Sequence, residues 1–98
     1  MSLFTNTKLG SQSLNGSTGI WNTSIGAYAL STENTGSNNV AVGGNALLKN
    51  DTGAYNTAVG TAAMVKNTTG ELNTSVGDNS MSFNVTGAAN TTVGVQSL

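Results

Sequence analysis

The side chains able to do acid–base or ionic chemistry are few: Glu33, Asp51, Glu71 and Asp78, with Lys8, Lys49 and Lys66. A pair of carboxylates held in different environments is the acid–base device such a set could build. These acids recur at no common interval, so no two are placed to act as a pair, and they read as solvated surface charge. Lys49 and Lys66 stand 17 residues apart with Asp51 near the first, a small surface cluster of charge. The sequence contains no His and no Cys. That removes the usual general base, the thiolate nucleophile, the commonest metal ligands and any disulfide framework. We expect no catalytic residue, no metal and no cofactor, and hence no enzyme. The net charge of −1 and the absence of arginine leave no basic footprint, so nucleic acid is not an expected partner. No apolar run is long enough for a signal-peptide core or a membrane span, so neither a cleaved leader nor membrane insertion is expected.

What remains is amide and hydroxyl chemistry on a glycine-rich backbone. Asn, Thr, Ser and Gly supply 53 of the 98 residues, with no proline. Such a composition suggests disorder unless it is periodic. It is periodic. Thr-Gly pairs recur every 17 residues at Thr18-Gly19, Thr35-Gly36, Thr52-Gly53, Thr69-Gly70 and Thr86-Gly87. The same interval holds for Asn22, Asn39, Asn56, Asn73 and Asn90, for Ile25, Val42, Val59, Val76 and Val93, and for Gly26, Gly43, Gly60, Gly77 and Gly94. A large apolar residue closes each unit at Leu30, Leu47, Met64, Met81 and Leu98, with a small residue before it. The chain begins with an incomplete unit offset by 16. We divide it into a partial N-terminal repeat or cap over residues 1–14 and a five-coil repeat over residues 15–98.

Seventeen residues are too few for a helical pair, and Asn, Thr and Gly disfavour helix. The pattern predicts an all-β parallel solenoid in which each unit is one coil of two short strands and two bends. Thr57 and Val59 share one strand face, Asn56 and Ala58 the other. On this reading Val59 points inward, and Gly60 turns the corner that lets Met64 share the same interior. The expected coil core is therefore Ile25, Leu30, Val42, Leu47, Val59, Met64, Val76, Met81 and Val93. Gly26, Gly43, Gly60, Gly77 and Gly94 are the expected turn glycines, and the Thr-Gly glycine is expected to supply a second left-handed bend. Stacked coils turn each Asn and Thr column into a ladder of side chains hydrogen-bonded coil to coil.

About two large apolar side chains per coil do not offset the entropy of ordering a unit, so oligomerisation is expected. The small columns Ser24/Ala41/Ala58/Ser75/Thr92 and Ala29/Ala46/Ala63/Ser80/Ser97 admit close approach of another backbone, and one of them is the expected subunit seam. The column Trp21, Asn38, Tyr55, Leu72 and Ala89 varies in type, as decoration on a solenoid does. Trp21, Tyr55 and Leu72 are the candidate recognition or interface residues, a sugar-stacking surface or a cap on the seam.

The stretches "NNVAVGGNAL" at Asn38 to Leu47 and "YNTAVGTAAM" at Tyr55 to Met64 resemble head repeats of YadA-type trimeric autotransporter adhesins. "KNTTGELNTSVG", with Thr-Gly between units, also resembles repeats of phage tail-fibre proteins. The resemblance implies a trimeric left-handed parallel β-roll, intertwined or side by side. The implied function is a structural or receptor-binding part of a virion fibre, spike or head decoration. Its partners would be a neighbouring virion or fibre protein or a cell-surface glycan. The alternative is the head of a bacterial surface adhesin. Ice binding on the column Thr18/Thr35/Thr52/Thr69/Thr86 is a further, minor expectation.

Overall fold

The structure is a computed structural model that describes residues 6–32 and 34–97. Residues 1–5 of the N-terminal cap, the acid Glu33 and the closing residue Leu98 lie outside the described residues. Six three-residue strands form one parallel sheet in chain order: β1 (Thr7–Leu9), β2 (Thr23–Ile25), β3 (Val40–Val42), β4 (Thr57–Val59), β5 (Thr74–Val76) and β6 (Thr91–Val93). From β2 onward the first and third strand positions are β-branched, which suits a pleated surface. The register advances one repeat per strand, as in Ala41↔Ala58 and Ala58↔Ser75, so the chain is a β-solenoid of about five turns with 17-residue spacing. No helix occurs among the described residues.

Each coil has one strand, where the sequence predicts two. The second side is a run of turns, tied to its neighbours by backbone bonds such as Leu30 N–H to Ala46 C=O (3.0 Å) and Leu47 N–H to Ala63 C=O (3.0 Å). The φ values explain why no strand forms there. Leu30, Leu47, Met64 and Met81 adopt φ of 49–51°, and Tyr28, Asn45, Ala62 and Asn79, two residues earlier, adopt 57–63°. Left-handed residues break a strand, and each costs a non-glycine residue about 1–2 kcal/mol. Asn tolerates this region, and Asn45 and Asn79 occupy the column on either side of Ala62. We therefore expect Ala62→Asn to stabilise the fold by about 0.5–1 kcal/mol, visible as a rise of a few degrees in the thermal midpoint followed by circular dichroism. A lower midpoint would show that the left-handed turn is not strained at Ala62.

The interior corrects the predicted core. Along residues 21–25, 55–59 and 72–76, exposed or half-exposed positions alternate with buried ones, and the buried ones are the Asn and the middle strand residue. Leu30, Leu47, Met64 and Met81 are buried as expected, but they pack within the coil together with Ala41, Ala58, Ala29, Ala46 and Ala63. Ile25, Val42, Val59, Val76 and Val93 stand on the outer face; Val76 is 37% and Val93 73% exposed. The cause is thickness: in a cross-section of about 23 × 16 Å, the large turn residue occupies the interior and leaves room opposite it only for a small side chain. The two small columns are thus the lining of each chain's own coil and not a seam between chains.

Two asparagine ladders fill the rest of the interior. In the anticipated one, each Asn Oδ1 accepts from the backbone N–H of the next: Asn39 N–H to Asn22 (2.9 Å), Asn56 to Asn39 (3.0 Å) and Asn73 to Asn56 (3.1 Å). The second runs through Asn34, Asn50, Asn67 and Asn84, with Nδ2 of each donating to Oδ1 of the one before at 2.6–2.9 Å. Both ladders converge on the Thr-Gly glycine, whose carbonyl accepts two amides: Gly53 C=O receives Asn39 Nδ2 and Asn50 Nδ2, each at 2.9 Å. This glycine does not have the predicted positive φ; it is required by closeness, since a Cβ on Gly36 would lie 1.9 Å from the Gly53 carbonyl oxygen. Left-handed geometry belongs instead to the column at Trp21, Asn38, Tyr55, Leu72 and Ala89 and to Gly26, Gly43, Gly60, Gly77 and Gly94, the last group at φ of 129–132° as turn glycines. Among the described residues every fully buried side-chain nitrogen and oxygen has a partner, the condition under which so polar an interior is stable.

Candidate interaction face

The strand pleat sets what the solenoid shows on the outside of its sheet. With Ser24, Ala41, Ala58, Ser75 and Thr92 turned inward, the first and third residues of each strand face away from the coil. From β1 to β6 these are Thr7, Thr23, Val40, Thr57, Thr74 and Thr91 in one column, and Leu9, Ile25, Val42, Val59, Val76 and Val93 in the other. No charged residue occupies either column. Equivalent residues on neighbouring parallel strands lie roughly 4.8 Å apart, so the β-branched side chains form continuous ridges.

The variable column borders the same face. Trp21, Tyr55 and Leu72 are 53%, 59% and 61% exposed, each followed by a buried Asn and then by an outward strand residue. Their φ values of 58–60° turn the chain immediately before the strand. The structure thus brings together Trp21, Tyr55 and Leu72 with Ile25, Val42, Val59, Val76 and Val93. It separates all of these from Leu30, Leu47, Met64 and Met81, which the sequence places with the valines. No known protein family, curated protein or solved structure matches this chain.

The remaining candidates lie away from this face. Thr18, Thr35, Thr52, Thr69 and Thr86 are exposed but outside the strands, on the bend before the clamped glycine. Asp78 has a structural bond, its Oδ1 accepting the Thr61 N–H of the preceding coil at 3.0 Å. Lys66 Nζ lies 4.6 Å from the centroid of the Phe83 ring, a cation–π contact between neighbouring coils. Among the described residues no group of three or more acids gathers where a metal could bind. The alternation of Thr and Val two residues apart is the signal that could have located the face. It marks which residues share a side, and only the volume of the opposite turn residue decides which side is out.

Proposed function

We propose that this chain is a non-catalytic structural module of a virion fibre, assembled as a homotrimer through the outer faces of β2 to β5. The observation that supports this reading is the uncharged ridge of Ile25, Val42, Val59 and Val76, bordered by Trp21, Tyr55 and Leu72. An apolar, regular and extended face of this kind is what an isologous or cyclic interface buries. Its two ridges, Thr23/Val40/Thr57/Thr74 and Ile25/Val42/Val59/Val76, run the length of the sheet and give a second copy a continuous surface to pack against. Threefold symmetry follows from the resemblance to adhesin heads, and the adhesin-head reading uses the same assembly. Trp21, Tyr55 and Leu72 then belong to the seam, and the polar bends carry contacts to a neighbouring fibre protein or a cell-surface glycan.

A double charge substitution tests the seam. Val42→Glu/Val59→Glu places two carboxylates at its centre, where burial without a partner is strongly unfavourable. We expect sedimentation velocity to show the 9.8 kDa monomer, and Thr69→Glu, on an exposed bend, to leave the oligomer intact. Retention of the full oligomer by the double variant would overturn this seam.

A further inference from the structure

An asparagine loses its side-chain amide when the backbone nitrogen of the following residue attacks Cγ, so the state of that N–H decides which of the 14 asparagines can react. In the solenoid this nitrogen is nearly always committed. On the sheet, Thr23 N–H donates to Asn39 C=O, Thr57 to Asn73 and Thr74 to Asn90, each at 2.8 Å. Away from it, Thr35 N–H donates to Asp51 C=O (2.7 Å), Thr68 to Val85 (2.9 Å), Ala46 to Gly43 (3.2 Å) and Ser80 to Gly77 (3.1 Å). A bonded N–H of this kind reacts only after local opening. Asn15, Asn84 and Asn90 are the asparagines followed by an N–H that no described residue accepts. After Asn84 and Asn90 stand Val85 and Thr91, whose branched Cβ crowds the attacking nitrogen. After Asn15 stands Gly16, with no Cβ, in the one Asn-Gly pair of the sequence. Asn15 is exposed, Gly16 has a φ of 78°, and the turn around them is closed by a long bond, Ser17 N–H to Leu14 C=O at 3.3 Å.

We propose that Asn15 is a self-modification site, the position at which the folded chain converts an asparagine to aspartate and isoaspartate while its ladders stay intact. The Gly16 nitrogen forms a bond to Asn15 Cγ and gives its proton to water; the Cγ–Nδ2 bond breaks and ammonia leaves. Water then opens the cyclic imide at either carbonyl, giving aspartate by one route and isoaspartate, with one more main-chain atom, by the other. Both products place a carboxylate on the turn that Ser17 ties to the next coil, its Oγ donating to Asn34 C=O at 3.0 Å. The site lies on the run of turns and not on the sheet face, so it does not depend on the seam.

The test incubates the chain in mildly alkaline buffer, folded and in concentrated urea, and follows each asparagine by tandem mass spectrometry of peptic fragments, with isoaspartate distinguished from aspartate. We expect Asn15 to convert in the folded chain within about threefold of its rate in urea, with isoaspartate among the products, while Asn22, Asn39, Asn56 and Asn73 stay unconverted. Folding that slows Asn15 more than tenfold, or ladder asparagines that convert as fast as Asn15 in the folded chain, would overturn the proposal. Gly16→Ala puts a Cβ beside the attacking nitrogen, and in urea no left-handed φ is imposed on it. There it should slow Asn15 at least tenfold. An undiminished rate, or aspartate as the sole product, would show direct hydrolysis of the amide and would also overturn the proposal.

Discussion

Asn56→Ala is expected to destabilise the chain by about 2–4 kcal/mol. Asn56 Oδ1 accepts the buried Asn73 N–H at 3.1 Å and Asn73 Nδ2 at 3.2 Å, while its own Nδ2 donates to Gly70 C=O at 2.7 Å. Gly70 C=O keeps a second donor in Asn67 Nδ2 (3.1 Å), and Asn73 Nδ2 keeps Gly87 C=O (2.7 Å). Only the Asn73 N–H is orphaned, and that one group carries most of the cost. Asn90→Ala provides the comparison. Asn90 is half-buried, and no described residue bonds its side chain, so its loss should shift stability by less than about 0.5 kcal/mol. Urea unfolding of the two variants checks both values. Equal effects would mean that the ladder is not the source of stability.

The second large effect concerns which side of the strand is inside. Ala58 is fully buried, and the neighbouring Val59 faces out. Ala58→Trp forces an indole into a space that holds a methyl group, and such overpacking costs about 1–3 kcal/mol even where the surroundings can move. Here the surroundings include Ala63 and Met64 of the same fully buried cluster, on a turn tied to the next coil by the Met64 N–H to Ser80 C=O bond (2.9 Å), and they leave no free volume for an indole. We expect loss of cooperative unfolding and of the β-type circular dichroism spectrum. Val59→Trp, one residue away, should keep both. A folded but dissociated Ala58→Trp chain would return the small column to the subunit seam. An unfolded Val59→Trp chain would return the valines to the core.

Those two variants also mark where the sequence was readable. The 17-residue interval determined the coil, the parallel stacking and the Asn22 to Asn90 ladder, because a column of identical residues has one way to stack. Strand parity grouped Thr57 with Val59 and Asn56 with Ala58, and that grouping holds. Parity cannot say which group faces in, and hydrophobicity pointed the wrong way. A buried Asn is stable once both ends of its amide are bonded, and the large residue at φ near 50° had already claimed the apolar interior. The left-handed turn itself was hidden, since Leu30, Leu47, Met64 and Met81 are not residues that favour it. The second ladder was visible as Asn50, Asn67 and Asn84 at the repeat interval, with Asn34 one residue out of step. The interaction face follows directly once the valines are placed outside.

Sedimentation equilibrium of the unmodified chain over the micromolar range is the most direct measurement. Assembly through the outer face of the sheet predicts a single species of three times the 9.8 kDa chain mass. The 53%-exposed Trp21 should then report a dry environment by a blue-shifted emission. A folded monomer at those concentrations, with Trp21 emitting as in water, would contradict it.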